Sequence, residues 1–154
     1  MMSLRYAVWA SMAGMFIPVM AVLNARLGRV LGEPLHAAFV LFAVGLLATG
    51  LASLALTGRL PSPSTLRLAA PIDFAGGAIV AFYIFSITLL APRFGVGNAI
   101  LFVMTAQLFT SAAIDHFGLF DAAVRPMTAL RAGGLALLLA GLWISQLSVQ
   151  TSTR

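Results

Sequence analysis

Five stretches of this chain are apolar, close to twenty residues long, and free of charge near their centres. They cover 6–23, 35–57, 72–91, 98–117 and 132–149 of a 154-residue sequence. A hydrocarbon core ~30 Å thick is crossed by a helix of about 20 residues. Only helices and closed barrels satisfy every backbone hydrogen bond in lipid, and a barrel needs alternating segments of about 10 residues. Runs such as Leu137-Leu138-Leu139 and Ala99-Ile100-Leu101-Phe102-Val103-Met104 do not alternate. The pattern predicts an all-α integral membrane bundle of five transmembrane helices, a single domain over 1–154. The breaks carry turn residues: Gly32-Glu33-Pro34, Pro61-Ser62-Pro63 and Pro92-Arg93-Phe94-Gly95.

Composition closes off the other classes. Hydrophobic residues make up 61 % and charged residues 8 %, against about 45–50 % and about 25 % in a soluble domain. A net charge of +5 would suggest nucleic acid in a soluble chain, but the nine basic residues are arginines scattered singly between apolar runs. They read as snorkelling helix-end anchors, and no nucleic-acid partner is expected. Without cysteine there is no disulfide, thiolate metal site or cysteine nucleophile. H-E-x-x-H, G-x-S-x-G and P-loop motifs are missing too. His36 and His116 fall near opposite faces, and Asp115 and His116 point to different sides of one helix. No enzymatic activity, metal or cofactor is expected. The first run could be a cleaved leader beginning at Arg5. Its apolar stretch exceeds the usual 7–15 residues, which favours an uncleaved first span.

Five spans put the termini on opposite faces. One face then receives Arg5, Arg59, Arg67, Arg125 and Arg131, and the other Arg26, Arg29, Arg93 and Arg154. A protein with one fixed orientation carries a clear basic excess in its cytoplasmic loops. Five against four leaves two readings open: a small excess that still decides, or dual topology with copies inserted both ways. Asp73 and Asp115 approach the face of Arg67, Arg125 and Arg131, where structural ion pairs are expected.

Small residues mark helix interfaces, because lipid supplies no hydrophobic drive for helices to associate. Ala132, Ala136 and Ala140 recur every fourth residue, with Gly134 and Gly141 beside them; this last run is the candidate contact between subunits. Packing inside one bundle is the other reading of that row. Gln107 sits near the middle of its run, with Thr110 and Ser111 on the same side of a helical wheel. Its amide must face a water-filled cavity or bond to a neighbouring helix. Tyr83, and Ser86 one turn on, are the next polar candidates. Pro18 removes a backbone donor and frees the Gly14 carbonyl, so it is a candidate hinge or a packing kink. Asn24 follows the first run as a helix cap or as a group at a cavity mouth. No acid lies at mid-membrane, so coupling through a central carboxylate is not expected.

Several of these stretches resemble one family. They are Pro18-Val19-Met20-Ala21-Val22-Leu23-Asn24-Ala25-Arg26-Leu27-Gly28; Pro92-Arg93-Phe94-Gly95; Gln107 followed by Asp115-His116-Phe117-Gly118; and Arg131 with Gly134 and Gly141. The family is the YdcZ-like branch of the drug/metabolite transporter superfamily, short chains of five helices. The likeness runs over essentially the whole chain; one departure is Ala106, where the family usually has Gly. It implies transport and one inverted-repeat half of a drug/metabolite-type transporter. The expectation is an inner-membrane, multi-pass transporter of a small metabolite or drug-like solute. It would work by alternating access as an antiparallel homodimer, or as a heterodimer with a related five-helix chain. Gln107, Tyr83, Thr110, Ser111 and Asn24 would bind solute, and a neutral or weakly polar one is expected. Pro18 would be the hinge, and Ala132, Gly134, Ala136, Ala140 and Gly141 the dimer interface. The alternative is a non-transporting subunit packed against a related partner.

Overall fold

A computed structural model describes residues 2–152, with side chains described for 4–147. The α-helices are α1 (Met2–Leu31), α2 (Pro34–Thr57), the single turn α3 (Pro63–Leu66), α4 (Ala75–Phe94), α5 (Val96–Phe117) and α6 (Ala129–Ser152). Short 3-10 turns lie at Pro71–Phe74 and Leu119–Asp121. Among the described residues there is no strand, and five helices are long and apolar enough to cross a membrane. The chain is therefore the all-α membrane protein that its apolar runs predict. It forms two compact units, Met1–Val96 and Gly97–Arg154.

The helix ends depart from the apolar runs. α1 does not stop at Leu23; it continues through Asn24, Arg26 and Arg29 to Leu31 and ends at Gly32, whose φ is 75°. Nothing in 24–31 breaks a helix, and arginine stems can snorkel out of lipid. Thirty helical residues span ~45 Å, more than the ~30 Å core, so the excess lies among headgroups or is taken up by tilt. Asn24 is thus inside the helix and does not cap its end. Pro92 likewise sits in the last turn of α4, and the break falls at Gly95. Lacking an N–H, Pro92 leaves the Thr88 carbonyl without its helical donor. α6 runs beyond 149 to Ser152; Arg154, counted above on one membrane face, lies outside the described residues.

In the first unit, α1 and α2 are joined by two residues and so run antiparallel. Glu33 precedes α2 in an extended conformation without capping it, and Pro34 opens the helix. The core is built from small side chains: Ala21 and Ala25 of α1, Ala37 and Ala38 of α2, and Ala91 beside Ile84 and Ile87 of α4. A Cβ on Gly28 would lie 3.4 Å from the Pro34 Cα and 3.5 Å from the Thr88 Cγ2. Such close backbone approach is what makes membrane helices adhere. The loop before α4 satisfies itself locally. Ser62 Oγ accepts from the Thr65 N–H at 3.2 Å, and Asp73 accepts from the Ala70 N–H at 2.8 Å. Asp73 therefore organises a helix start, and it makes no ion pair among the described residues.

In the second unit, α5 and α6 are antiparallel and tied at both ends. Arg131 Nη2 meets Asp115 Oδ2 at 2.7 Å near one end. Gln146 Nε2 donates to Asn98 Oδ1 at 3.3 Å near the other. The turn between them is held by the Arg125 N–H on the Asp115 carbonyl at 2.7 Å and the Met127 N–H on His116 Nδ1 at 2.9 Å. Gly118 has φ 63° there, and a Cβ would come within 2.7 Å of the Val124 Cγ2. Asp115, His116 and Gly118 are turn builders, with the acid and the imidazole engaged by different partners.

The α1–α2–α4 packing predicts a graded response at Gly28. Gly28→Ala should be tolerated, because its methyl meets ordinary contacts. Gly28→Val should lower stability by ~1–3 kcal/mol through overpacking, measured by thermal unfolding in detergent. Gly14→Ala, with open space around it, should not reproduce that loss.

Candidate functional site

Polar groups inside the spans fall into two classes: those satisfied within the chain and those that are not. Hydroxyls mostly bond back to their own helix. Thr49 donates to the Gly45 carbonyl at 2.8 Å, Ser86 to Phe82 at 2.7 Å, Thr88 to Ile84 at 2.7 Å, and Thr105 to Leu101 at 2.8 Å. Ser111 reaches the Leu108 carbonyl at 3.0 Å. These bonds let a hydroxyl sit in lipid without a partner helix.

Asn24 is fixed differently. It is buried, and its side-chain amide donates to the Thr88 hydroxyl across 64 residues of sequence. Thr88, itself buried, passes its own proton to Ile84, so the three groups form a short chain from α1 into α4. The sequence does not single out Thr88, since nothing local separates it from other back-bonding threonines. Tyr83 lies on α4 in the same unit and is half-buried, one turn before the core residue Ile87. α1 remains a single helix through Pro18.

Gln107 has no such arrangement. It is exposed on α5, and among the described residues neither it nor Thr110 has a hydrogen-bond partner. The two side chains are three residues apart and therefore adjacent on the helix surface. The opposite side of α5 carries Leu101, Met104, Thr105 and Leu108, which face Gly134 and Gly141 of α6 across an open cleft of about 430 Å³. Thr110 thus lies on the face of α5 turned away from α6 with Gln107 at its flank, whereas Ser111, seven residues after Met104, falls on the Met104 side. On α6 the helical period separates the small residues in the same way. Gly134 and Gly141 line the cleft toward α5, whereas Ala132, Ala136 and Ala140 are exposed on the far side. A Cβ on Gly134 or Gly141 would meet nothing within 4 Å, so the cleft beside them is open.

A second recess lies where α1 ends, α2 begins and α4 ends. It encloses about 300 Å³, and its lining includes Gly28, Arg29, Pro34, Thr88, Pro92 and Arg93. The Asn24–Thr88 bond lies against its inner wall.

Comparison with known proteins accords with this architecture. Residues 5–144 match the family described as "Putative inner membrane exporter, YdcZ". No curated protein and no solved structure gives a significant match. The match covers most of the chain, and the chain belongs to the YdcZ family: an inner-membrane protein of the exporter type.

The buried polar bond can be weighed directly. Asn24→Ala and Thr88→Val, combined in a double-mutant cycle, should show a coupling of ~0.6 kcal/mol, at most about 1.7 kcal/mol, read from unfolding midpoints in detergent. A coupling of zero would mean the pair contributes nothing to holding α1 on α4.

Proposed function

We propose that this YdcZ-family chain is one inverted-repeat half of an inner-membrane exporter. It moves a small metabolite or drug-like solute by alternating access within an antiparallel dimer. The observation that carries the reading is the unpartnered Gln107–Thr110 face of α5. An unsatisfied polar group in hydrocarbon costs several kcal/mol, so this amide needs a water-filled cavity or another protein surface. Transporters of inverted-repeat construction supply both, with the solute held near the midplane between the halves. Five helices amount to one half, and an oppositely inserted copy or a related chain supplies the other. The near balance of arginines between the two faces agrees with insertion in either direction.

In this reading Gln107, Thr110 and Ser111 of the second unit offer hydrogen bonds to the solute, and Tyr83 is a separate polar candidate on α4 of the first unit. Asn24 acts through Thr88, keeping α1 and α4 in register rather than donating its amide to the cavity. Pro18, which frees the Gly14 carbonyl within a long helix, is the hinge about which α1 flexes. Ala132, Ala136 and Ala140 form the surface that meets the partner. Gly134 and Gly141 offer a partner helix the other side of α6, where the space around them is open.

The test is Gln107→Leu. Because Gln107 has no partner among the described residues, the change should leave insertion and thermal stability nearly intact. In proteoliposomes or resistant cells it should abolish export. If Gln107→Leu instead changes little except stability, the protein is a non-transporting subunit packed against a related partner. Orientation is tested separately, by fusing a reporter active only in the cytoplasm to each terminus in turn. Comparable signal from both ends is expected; signal from one end alone would eliminate the antiparallel homodimer.

A further inference from the structure

From the recess between the ends of α1 and α4 we infer a second binding site, one that takes a phosphate group. Its lining brings together Arg29 of α1 and Arg93 of α4, two guanidiniums from helices far apart in sequence, around a volume of about 300 Å³. That volume is at the small end of ligand sites, ~300–1,000 Å³, and suits a phosphate with a short attached group. Each arginine lies in the last turn of its helix, where a cation complements the helix dipole. A dipole role alone would leave two arginines on separate outer surfaces. Here both lie on one concavity.

The surrounding charges leave the pair available. Among the described residues the Asp115–Arg131 contact is the one ion pair, so neither Arg29 nor Arg93 is neutralised. Glu33, between the lining residues Gly32 and Pro34, pairs with neither and is exposed. The first turn of α2 adds backbone donors at the rim, because Glu33 provides no side-chain cap. The inner wall is rigid: Gly28 admits the close approach of α2, and Thr88 is held by Asn24 and Ile84. Guanidinium forks match phosphate oxygens in bidentate fashion. Basic pockets between transmembrane helices at the headgroup level are where phosphate-bearing lipids bind. The same chemistry would accept a phosphorylated solute arriving from water. The inference stands apart from the transport reading, which rests on the Gln107 face of the other unit.

The test uses the full-length chain and two probes. In neutral maltoside detergent, glycerol 3-phosphate is titrated at constant ionic strength. In the same detergent, phosphatidylglycerol is added to mixed micelles in increasing fractions. Thermal unfolding followed by tryptophan fluorescence is the readout in both. A rise in midpoint with the soluble probe identifies a solute phosphate, and a rise with phosphatidylglycerol alone identifies a lipid headgroup; either supports the site. Arg29→Gln and Arg93→Gln should each weaken the apparent affinity at least about tenfold, the loss of one hydrogen bond to a charged group. Arg5→Gln and Arg59→Gln should leave it unchanged. Arg29→Lys and Arg93→Lys keep the charge and the fold but lose the fork, and should bind several-fold more weakly; they decide the matter where a Gln variant fails to fold. The inference is overturned if neither probe raises the midpoint, or if the variants at 29 and 93 bind as tightly as the native chain.

Discussion

Lipid tails are as apolar as leucine, so a leucine-rich helix gains nothing by leaving them for another leucine-rich helix. Every contact that holds this chain together must therefore come from close packing or from polar bonds between helices. In the first unit both act at one place. Ala21, Ala25 and Gly28 form a strip along α1 narrow enough to bring α2 and α4 close, and Asn24 interrupts that strip to bond Thr88. Many of the larger side chains stay outside: Phe39, Leu46, Leu56, Phe82 and Trp9 are all more than 70 % exposed, a surface that suits lipid. The usual arrangement of a soluble domain is inverted, with alanine inside and phenylalanine outside.

The second unit uses the other device. Its two helices are held apart by a cleft over their middle and joined by polar contacts near the ends, Asn98 with Gln146 and Asp115 with Arg131. The Asp115–Arg131 pair is a third exposed, where a salt bridge is worth ~0.2–1 kcal/mol. That is enough to set register and too little to enforce tight packing. An apolar cleft bounded in this way tolerates changes in helix spacing, whereas the alanine–glycine strip of the first unit does not.

The existence and number of the spans were legible because hydrocarbon thickness imposes one length on all of them. Their ends were not legible to the same degree. Apolarity stops at the membrane surface, but the helix stops only where the backbone is broken. In α1 that place is Gly32 rather than Leu23, so Arg26 and Arg29, which look like loop residues, are helical. Pro92 looks like a connection and is the last turn of α4, since a proline near a C-terminus costs a single hydrogen bond. Gln107 stands out in the sequence because a lone amide in an apolar run is conspicuous. Thr88 does not, because its significance depends on a residue 64 positions away. The alanine and glycine rows of α6 read as one surface until the helical period assigns them to opposite sides.

The amides separate what is structural from what is functional. A serine or threonine can return its proton to a carbonyl of its own helix, so its presence in a span says little about partners. An Asn or Gln amide has two donors and an acceptor to satisfy. Asn24 and Gln146 find side-chain partners on neighbouring helices, with Thr88 and with Asn98. Gln107 is the mid-span amide for which the described chain offers none, and Thr110 beside it shares that condition. The described chain hydrogen-bonds Asn24, Asn98 and Gln146 and leaves this amide open, which is the physical ground for the proposed site. Solute, water and a second chain are the three candidates chemistry allows. In the alternating-access dimer proposed above, all three would meet at that face.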